Sequence, residues 1–266
     1  MIPKIIHYCW FGKGLMPKSQ IDCIKSWKKL MPDYKIIRWD ESNFDANLCS
    51  FSKCSLQEKI YSPVSDVCRY YALNKYGGIY LDTDVELFKR FDEFLDVDFF
   101  SAIEMYPEFY AEGLPLLDPD GSPLVAGTEI PHLEMLTSTI GCAPDNILIT
   151  ECLDYYLNIE ADASYVREYR KYVNNDRLVA KFATQHGFRY KDEKQILTNN
   201  MVIYPTGIFG HKLCVNPDYT VSYHHNAASW GGKTKKQEFM ILLDKLHLLK
   251  IYMRLKRIKN RIFDEK

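Results

Sequence analysis

The sequence predicts an α/β protein: a Rossmann-type mixed sheet with flanking helices, closed by a basic helical tail. Three observations predict it. Lys4–Gly12 reads as a strand running into a glycine loop, Ser19–Leu30 as a helix with Ile21, Ile24 and Trp27 on one face, and Tyr34–Trp39 as a second strand. Strand, helix and strand within some 40 residues form a βα-type unit that favours parallel pairing. The stretch Ser62–Leu87 then repeats the alternation as a helix, a glycine stop and a buried strand that ends in two carboxylates. Finally, 266 residues are most economically one domain, long enough to enclose a large core.

Ser62–Leu87 organises the rest. Ser62 followed by Pro63 is a helix-start signal, an N-cap hydroxyl and then a ring whose missing N–H costs nothing at the first helical position. Val64, Val67, Cys68, Tyr71 and Ala72 recur at helical spacing, and Asp66 and Arg69 lie on the opposite face, where both can point away from the core. Gly77-Gly78 ends the helix through a left-handed turn. Ile79-Tyr80-Leu81 is a short apolar strand with Asp82-Thr83-Asp84 at its carboxyl end, where ligands bind in open α/β sheets. Two carboxylates with one residue between them suit a hard divalent cation, Mg²⁺ or Mn²⁺, and a diphosphate that it bridges. Asp-x-Asp alone is common in solvated turns, and Asp66 with Arg69 alone is an ordinary i,i+3 pair. The specific signal is their order: Ser-Asp-x-x-Arg, a helix ending in Gly-Gly, an apolar strand, then Asp-x-Asp.

That ordered stretch resembles the DxD sugar-binding region of family 32 glycosyltransferases, which include capsule and lipopolysaccharide enzymes, and the catalytic domain of the large clostridial glucosylating toxins. The resemblance implies a GT-A-like fold and a catalytic domain over residues 1–235. It implies that Asp66 and Arg69 contact the donor sugar, while Asp82, Thr83 and Asp84 serve the sugar nucleotide and its metal. The opening IPKIIHYCWFG is similar to the family's first strand, which makes Trp10 a candidate to stack on the nucleobase. A core tryptophan at a strand end is the plain alternative. Near the other end, YTVSYHHNAASWGG resembles the family's histidine-to-Ser-Trp closure. By that likeness His224 is the third metal ligand with His225 as fallback, and Ser229 and Trp230 close over the diphosphate. A neutral imidazole completes a mixed N/O set for Mn²⁺. A structural histidine pair is the alternative.

The remaining chain is read in order. Phe44–Glu58 is polar and is expected as a short helical or loop excursion, Val85–Leu87 as a second short strand after the carboxylates, and Asp98–Ile103 as another apolar strand leading to Glu104. Residues 107–132 are loop-rich, with repeated prolines, and are assigned to a lid or an acceptor-side excursion. Ser138–Ala143 reads as a strand, and Asn146–Leu157, Ala163–Tyr172 and Asn175–His186 as helices. Met201–Tyr204 is a strand stopped by Pro205, and Tyr219–His225 a last strand. Glu238–Phe263 is a helical pattern that carries Lys245, Lys250, Arg254, Lys256, Arg257, Lys259 and Arg261. That basic amphipathic tail, residues 236–266, is expected to touch a membrane surface or to pack on the domain.

Composition bounds the function. A net charge of −1 supplies no global field toward nucleic acid. Eight cysteines occur without a C-x-x-C pair, and the strand that starts near residue 4 leaves no room for a targeting peptide, so reduced thiols and a cytoplasmic enzyme are expected. The activity implied is hexose transfer from a nucleotide sugar, a UDP-sugar by the Trp10 likeness, to a glycan or lipid-linked oligosaccharide. Resemblance implies retention at the anomeric carbon. Two rivals stand: a haloacid-dehalogenase-type phosphatase with Asp82 as nucleophile, and a sugar-nucleotide-binding protein without turnover.

Overall fold

A computed structural model describes residues 1–106, 109–210, 216, 218–227 and 252. The chain divides into a compact unit, Met1–Asn226, and a second unit, Ala227–Lys266. Ser229, Trp230 and the basic tail lie outside the described residues.

The strands are β1 (Ile5–Cys9), β2 (Lys35–Trp39), β3 (Gly78–Leu81), β4 (Val85–Leu87), β5 (Phe99–Met105), β6 (Leu133–Met135), β7 (Thr139–Cys142), β8 (Gln195–Leu197), β9 (Met201–Tyr204) and β10 (Ser222–His224). The helices are α1 (Lys18–Leu30), α2 (Ser50–Gln57), α3 (Tyr61–Tyr76), α4 (Ile147–Leu157), α5 (Ala163–Tyr172) and α6 (Asn175–Ala183). The main sheet runs β2-β1-β3-β7-β5-β9-β8, with β6 added on β5. The expected βα unit is present, since β1 pairs in parallel with both β2 and β3. From β3 onward β7 reverses direction against both β3 and β5, so the sheet is mixed, as the expected GT-A-like class requires.

Strand side chains alternate between two apolar clusters, as a pleat demands. Ile6, Ile79, Leu81 and Phe100 join the cluster that holds Ile24 and Trp27 of α1, whereas Tyr80, Phe99 and Ile140 join the larger one beneath α3, α4 and α6. Helices therefore cover both faces. Gly141 admits this packing between β7 and β5, because a Cβ there would lie 2.1 Å from the Phe100 ring. At the end of α3, Gly78 adopts φ +101°, and a Cβ there would meet the Ile5 carbonyl at 2.7 Å. Only glycine lets the chain turn that tightly against β1.

Several expectations shift by two or three residues. Helix α3 starts at Tyr61 with Ile60 as a cap that makes no side-chain bond, so Ser62 is inside the first turn. Pro63 is tolerated there because first-turn N–H groups have no helical partner. The polar Phe44–Glu58 segment forms a 3₁₀ turn over Ala46–Leu48 and then α2, each capped by its preceding side chain. The last helix ends at Ala183 and tightens to 3₁₀ over Thr184–His186. Strands β6 and β8 were not expected. Both are three residues long, too short for a period-two pattern to register. Cys9, Cys23, Cys49, Cys54, Cys68, Cys142 and Cys152 are free thiols. No helix among the described residues is long and apolar enough to cross a membrane.

One buried polar residue locks the turn between α3 and β3 to β1. His7 is fully buried, its Nε2 2.8 Å from the Gly77 carbonyl and its Nδ1 3.1 Å from Trp39 Nε1. Indole N–H can only donate, so Nδ1 accepts and Nε2 carries the proton toward Gly77. Burial holds the His7 pKa down at about 4, against an ordinary 6.5. A depressed imidazole pKa means that the unfolded chain takes up the proton first as pH falls. The stability tied to neutral His7 is therefore complete above pH 6.5 and is lost between 6.5 and about 4. That shift corresponds to about 3 kcal/mol. His7→Gln should flatten the urea-midpoint profile across this window, and an unchanged slope would remove His7 as its cause.

Candidate active site

The site lies where β1 and β3 end. Asp82 follows β3 directly, its backbone N–H donating to the Ser138 carbonyl at 2.9 Å, and Val85 N–H returns to the Asp82 carbonyl at 3.0 Å. That turn projects Asp82 and Asp84 from the sheet edge. The third member arrives by register: β10 pairs antiparallel with β4, His224 opposite Val85, so the imidazole falls beside Asp84. His224 Nε2 lies 3.3 Å from Asp84 Oδ1 and 3.9 Å from Asp82 Oδ2. One ligand atom from each of Asp82, Asp84 and His224 sits within 4.8 Å of the others, a spacing compatible with a shared divalent cation. Burial disfavours a charged imidazole here, but the Asp84 hydrogen bond and the charges of Asp84, Asp82 and Glu104 outweigh it and push the His224 pKa up to about 9. His224 Nδ1 is buried without a partner among the described residues.

His225 is placed elsewhere. Its Nε2 is 3.1 Å from Glu86 Oε2 at the surface, and its backbone N–H donates to the Asp84 carbonyl at 3.0 Å. Neighbours in a strand point to opposite faces, so only one of the two histidines can turn inward.

Asp66 and Arg69 do not point away from the core. They are 8% and 5% exposed, because α3 is buried by β1 and β3 on one side and by α2 and α4 on the other. A helix buried most of the way round puts its polar face inside too, which a single apolar stripe cannot reveal. Arg69 is the hub. Nη1 donates to the Thr137 carbonyl at 2.8 Å, while Nη2 lies 3.1 Å from Asp82 Oδ1, 3.4 Å from Asp66 Oδ1 and 3.5 Å from the Tyr80 hydroxyl. Its guanidinium also stacks over the Tyr80 ring at 4.3 Å. Tyr80 in turn donates to Asp82 Oδ1 at 2.9 Å, so one Asp82 oxygen is held by Arg69 and Tyr80 while the other faces His224. Arg69 Nε is buried with no partner among the described residues.

Trp10 is partly exposed at the end of β1, with Nε1 donating to the Gly14 carbonyl at 2.8 Å; its indole edge is fixed and it is not a core residue. Thr83 is partly exposed between the carboxylates.

Sequence reasoning missed the second ring. Asn175 Nδ2 donates to Asp66 Oδ1 at 3.3 Å and its Oδ1 accepts from the Tyr70 hydroxyl at 2.7 Å. Asp176 accepts from both the N–H and the hydroxyl of Thr137, the residue whose carbonyl binds Arg69. Glu104, 4% exposed, hydrogen-bonds Asp176 and accepts from Tyr106 at 2.8 Å. Burial and the Asp176 charge raise the Glu104 pKa, so the two carboxyl groups share a proton. The signal for Glu104 was a charge continuing an apolar strand. Asn175 and Asp176 begin a helix remote in sequence and gave none.

Residues 17–100 match a family model described as a glycosyltransferase sugar-binding region containing a DXD motif. Asp82-Thr83-Asp84 lies within that span, as does a second Asp-x-Asp, Asp96-Val97-Asp98. Inositol phosphoceramide mannosyltransferase 3 of Schizosaccharomyces pombe is 35% identical over 98 residues, covering 35% of this chain and 27% of the relative. Uncharacterized glycosyltransferase L373 of Acanthamoeba polyphaga mimivirus is 34% identical over 106 residues, covering 38% of this chain and 42% of the relative. The chain thus aligns with less than half the length of each. Among solved structures, the PaToxG glycosyltransferase aligns over 69% of both chains at 18% identity and a TM-score of 0.43. A galactosyltransferase solved with donor and acceptor sugar analogues aligns over 85% of this chain and 88% of its own at 12% identity and a TM-score of 0.40.

Proposed function

We propose that this chain is a metal-dependent, retaining glycosyltransferase that moves a hexose from a UDP-sugar to a glycan or lipid-linked oligosaccharide of a surface polysaccharide. The observation that carries the reading is the convergence of Asp82, Asp84 and His224 at the end of β3, inside a region matched by a DXD sugar-binding model except for the histidine. The Asp/Asp/His donor set fits Mn²⁺ or Mg²⁺, with the imidazole favouring Mn²⁺. When bound there, the cation would neutralise charge on the diphosphate leaving group.

The protein's own residues do the rest. Arg69 and Tyr80 fix Asp82 in one orientation, so its outer oxygen is directed at His224 before any ligand arrives. Asp66, held beside Arg69 by Asn175, is the acceptor for donor-sugar hydroxyls, with the Arg69 guanidinium as the planar donor next to it. Trp10 offers a pinned aromatic face for the uracil, with Thr83 beside the nucleotide. In a retaining reaction the leaving phosphate takes the acceptor's proton, which requires no separate protein base. A phosphatase using Asp82 as nucleophile is disfavoured, because Asp82 Oδ1 is engaged by a buried guanidinium and a phenol.

The deciding experiment is nucleoside diphosphate release from a panel of UDP- and GDP-sugars with Mn²⁺, Mg²⁺ or EDTA. Release from one donor, lost with EDTA, is expected. Donor binding without any turnover, even with oligosaccharide acceptors, would leave a binding protein and end the enzymatic reading.

A further inference from the structure

Helix α1 buries Gln20, Cys23, Ile24 and Trp27 and leaves its opposite side to solvent. At 3.6 residues per turn, Lys18, Ile21, Asp22, Lys25, Lys28 and Lys29 fall within an arc of about 120°. All six are exposed. Asp22 pairs with Lys18 at 2.5 Å and with Lys25 at 3.0 Å, which leaves the face with three net positive charges. Lys13, in the loop before α1, is exposed too, with the Asp40 carboxylate near it. The whole chain carries −1, so this positive charge is concentrated rather than general.

The same surface carries aliphatic groups in water. Leu15 is 98% exposed in the loop before α1, and Ile21 is 41% exposed amid the lysines. Gly14, next to Leu15, is the residue whose carbonyl receives the Trp10 indole N–H, so this loop adjoins the candidate active site.

We propose that the outer face of α1, with the Leu15 loop, docks on an anionic lipid bilayer. Lysine heads meet headgroup phosphates and carboxylates while their stems and Ile21 lie along the interface, and Leu15 enters the acyl boundary. Charge complementarity alone would also suit a nucleic acid. A fully exposed leucine gains nothing from a phosphate backbone and gains apolar burial in a bilayer, and that decides between them.

The test is co-sedimentation of the full chain with phosphatidylcholine vesicles containing about one-third phosphatidylserine, against pure phosphatidylcholine. Wild type should sediment with the anionic vesicles only, and less so as salt rises. Lys25→Gln/Lys28→Gln/Lys29→Gln should weaken binding about a hundredfold, from roughly fivefold per lysine lost. Leu15→Ser should weaken it severalfold while leaving its salt dependence unchanged. Nucleoside diphosphate release in solution should stay at the wild-type level in these variants, so the docking result is read separately from the enzymatic reading. Equal sedimentation of the triple variant and wild type would place any lipid contact elsewhere and overturn the proposal. So would binding of wild type to a single-stranded oligonucleotide but not to vesicles.

Discussion

Asp84→Ala should lower metal-dependent donor cleavage by about a thousandfold or more, the equivalent of the several kcal/mol that a cation contributes at a leaving diphosphate. Asp84 is the carboxylate nearest His224, and it is the main reason that a buried imidazole keeps its proton to about pH 9. The substitution therefore does two things. It removes one of three ligands, and it leaves His224 with Asp82 at 3.9 Å as its remaining acidic neighbour in the cluster. Mn²⁺ affinity by calorimetry should fall with turnover, while β4, pinned independently by the Trp27 indole at the Val85 carbonyl, stays in place. A cation must displace the His224 proton, so wild-type metal affinity should rise with pH up to about 9. If Asp84→Ala binds Mn²⁺ and releases diphosphate like wild type, the cluster is not the metal centre.

Much of the fold was legible because its signals are local. The β1-α1-β2 unit, the α3-β3 junction and helix α5 follow from apolar spacing and glycine placement, and they formed close to the expected positions. β8 was hidden by its shortness, and β6 because its pairing joins distant segments. β6 exists because Leu133–Met135 pairs antiparallel with Ile103–Met105 of β5, which puts Glu134 opposite Glu104, a register that neither stretch announces alone. Glu134 is tolerated there because Arg177 of α6 reaches it at 2.7 Å.

The site divides along the same line. Asp82 and Asp84 were readable as a pair at a strand end, and His224 entered through likeness to a family; β10 then supplies the physical reason by pairing with β4. His225 could not be separated from His224 by sequence, since the choice is made by which face of a three-residue strand turns inward. The orientation of Asp66 and Arg69 could not be read either. A three-residue spacing on a helix is the same whether that face meets water or a buried carboxylate.

Arg69→Met tests that buried arrangement most directly. The methionine approximates the volume but leaves Asp66 and Asp82 without their shared cation and the Thr137 carbonyl without its donor. Removing one partner of a buried ionic cluster costs about 3–5 kcal/mol, here chiefly because Asp66 is left charged with little access to water. Urea unfolding should report a loss of that size at neutral pH. Arg69→Lys separates folding from function. A single ammonium cannot reach Thr137, Asp66 and Asp82 at once, nor lie as a plane on the Tyr80 ring. This variant should fold with a smaller penalty and still lose about a hundredfold in turnover, since Asp82 would no longer be held in one orientation. A second substitution decides whether the loss runs through Asp82: Tyr80→Phe removes only the hydroxyl that donates to Asp82 Oδ1. If Arg69 acts by fixing Asp82, the effects of Arg69→Lys and Tyr80→Phe on turnover should be less than additive. Strictly additive losses would mean that the guanidinium acts on the sugar directly and not as a brace.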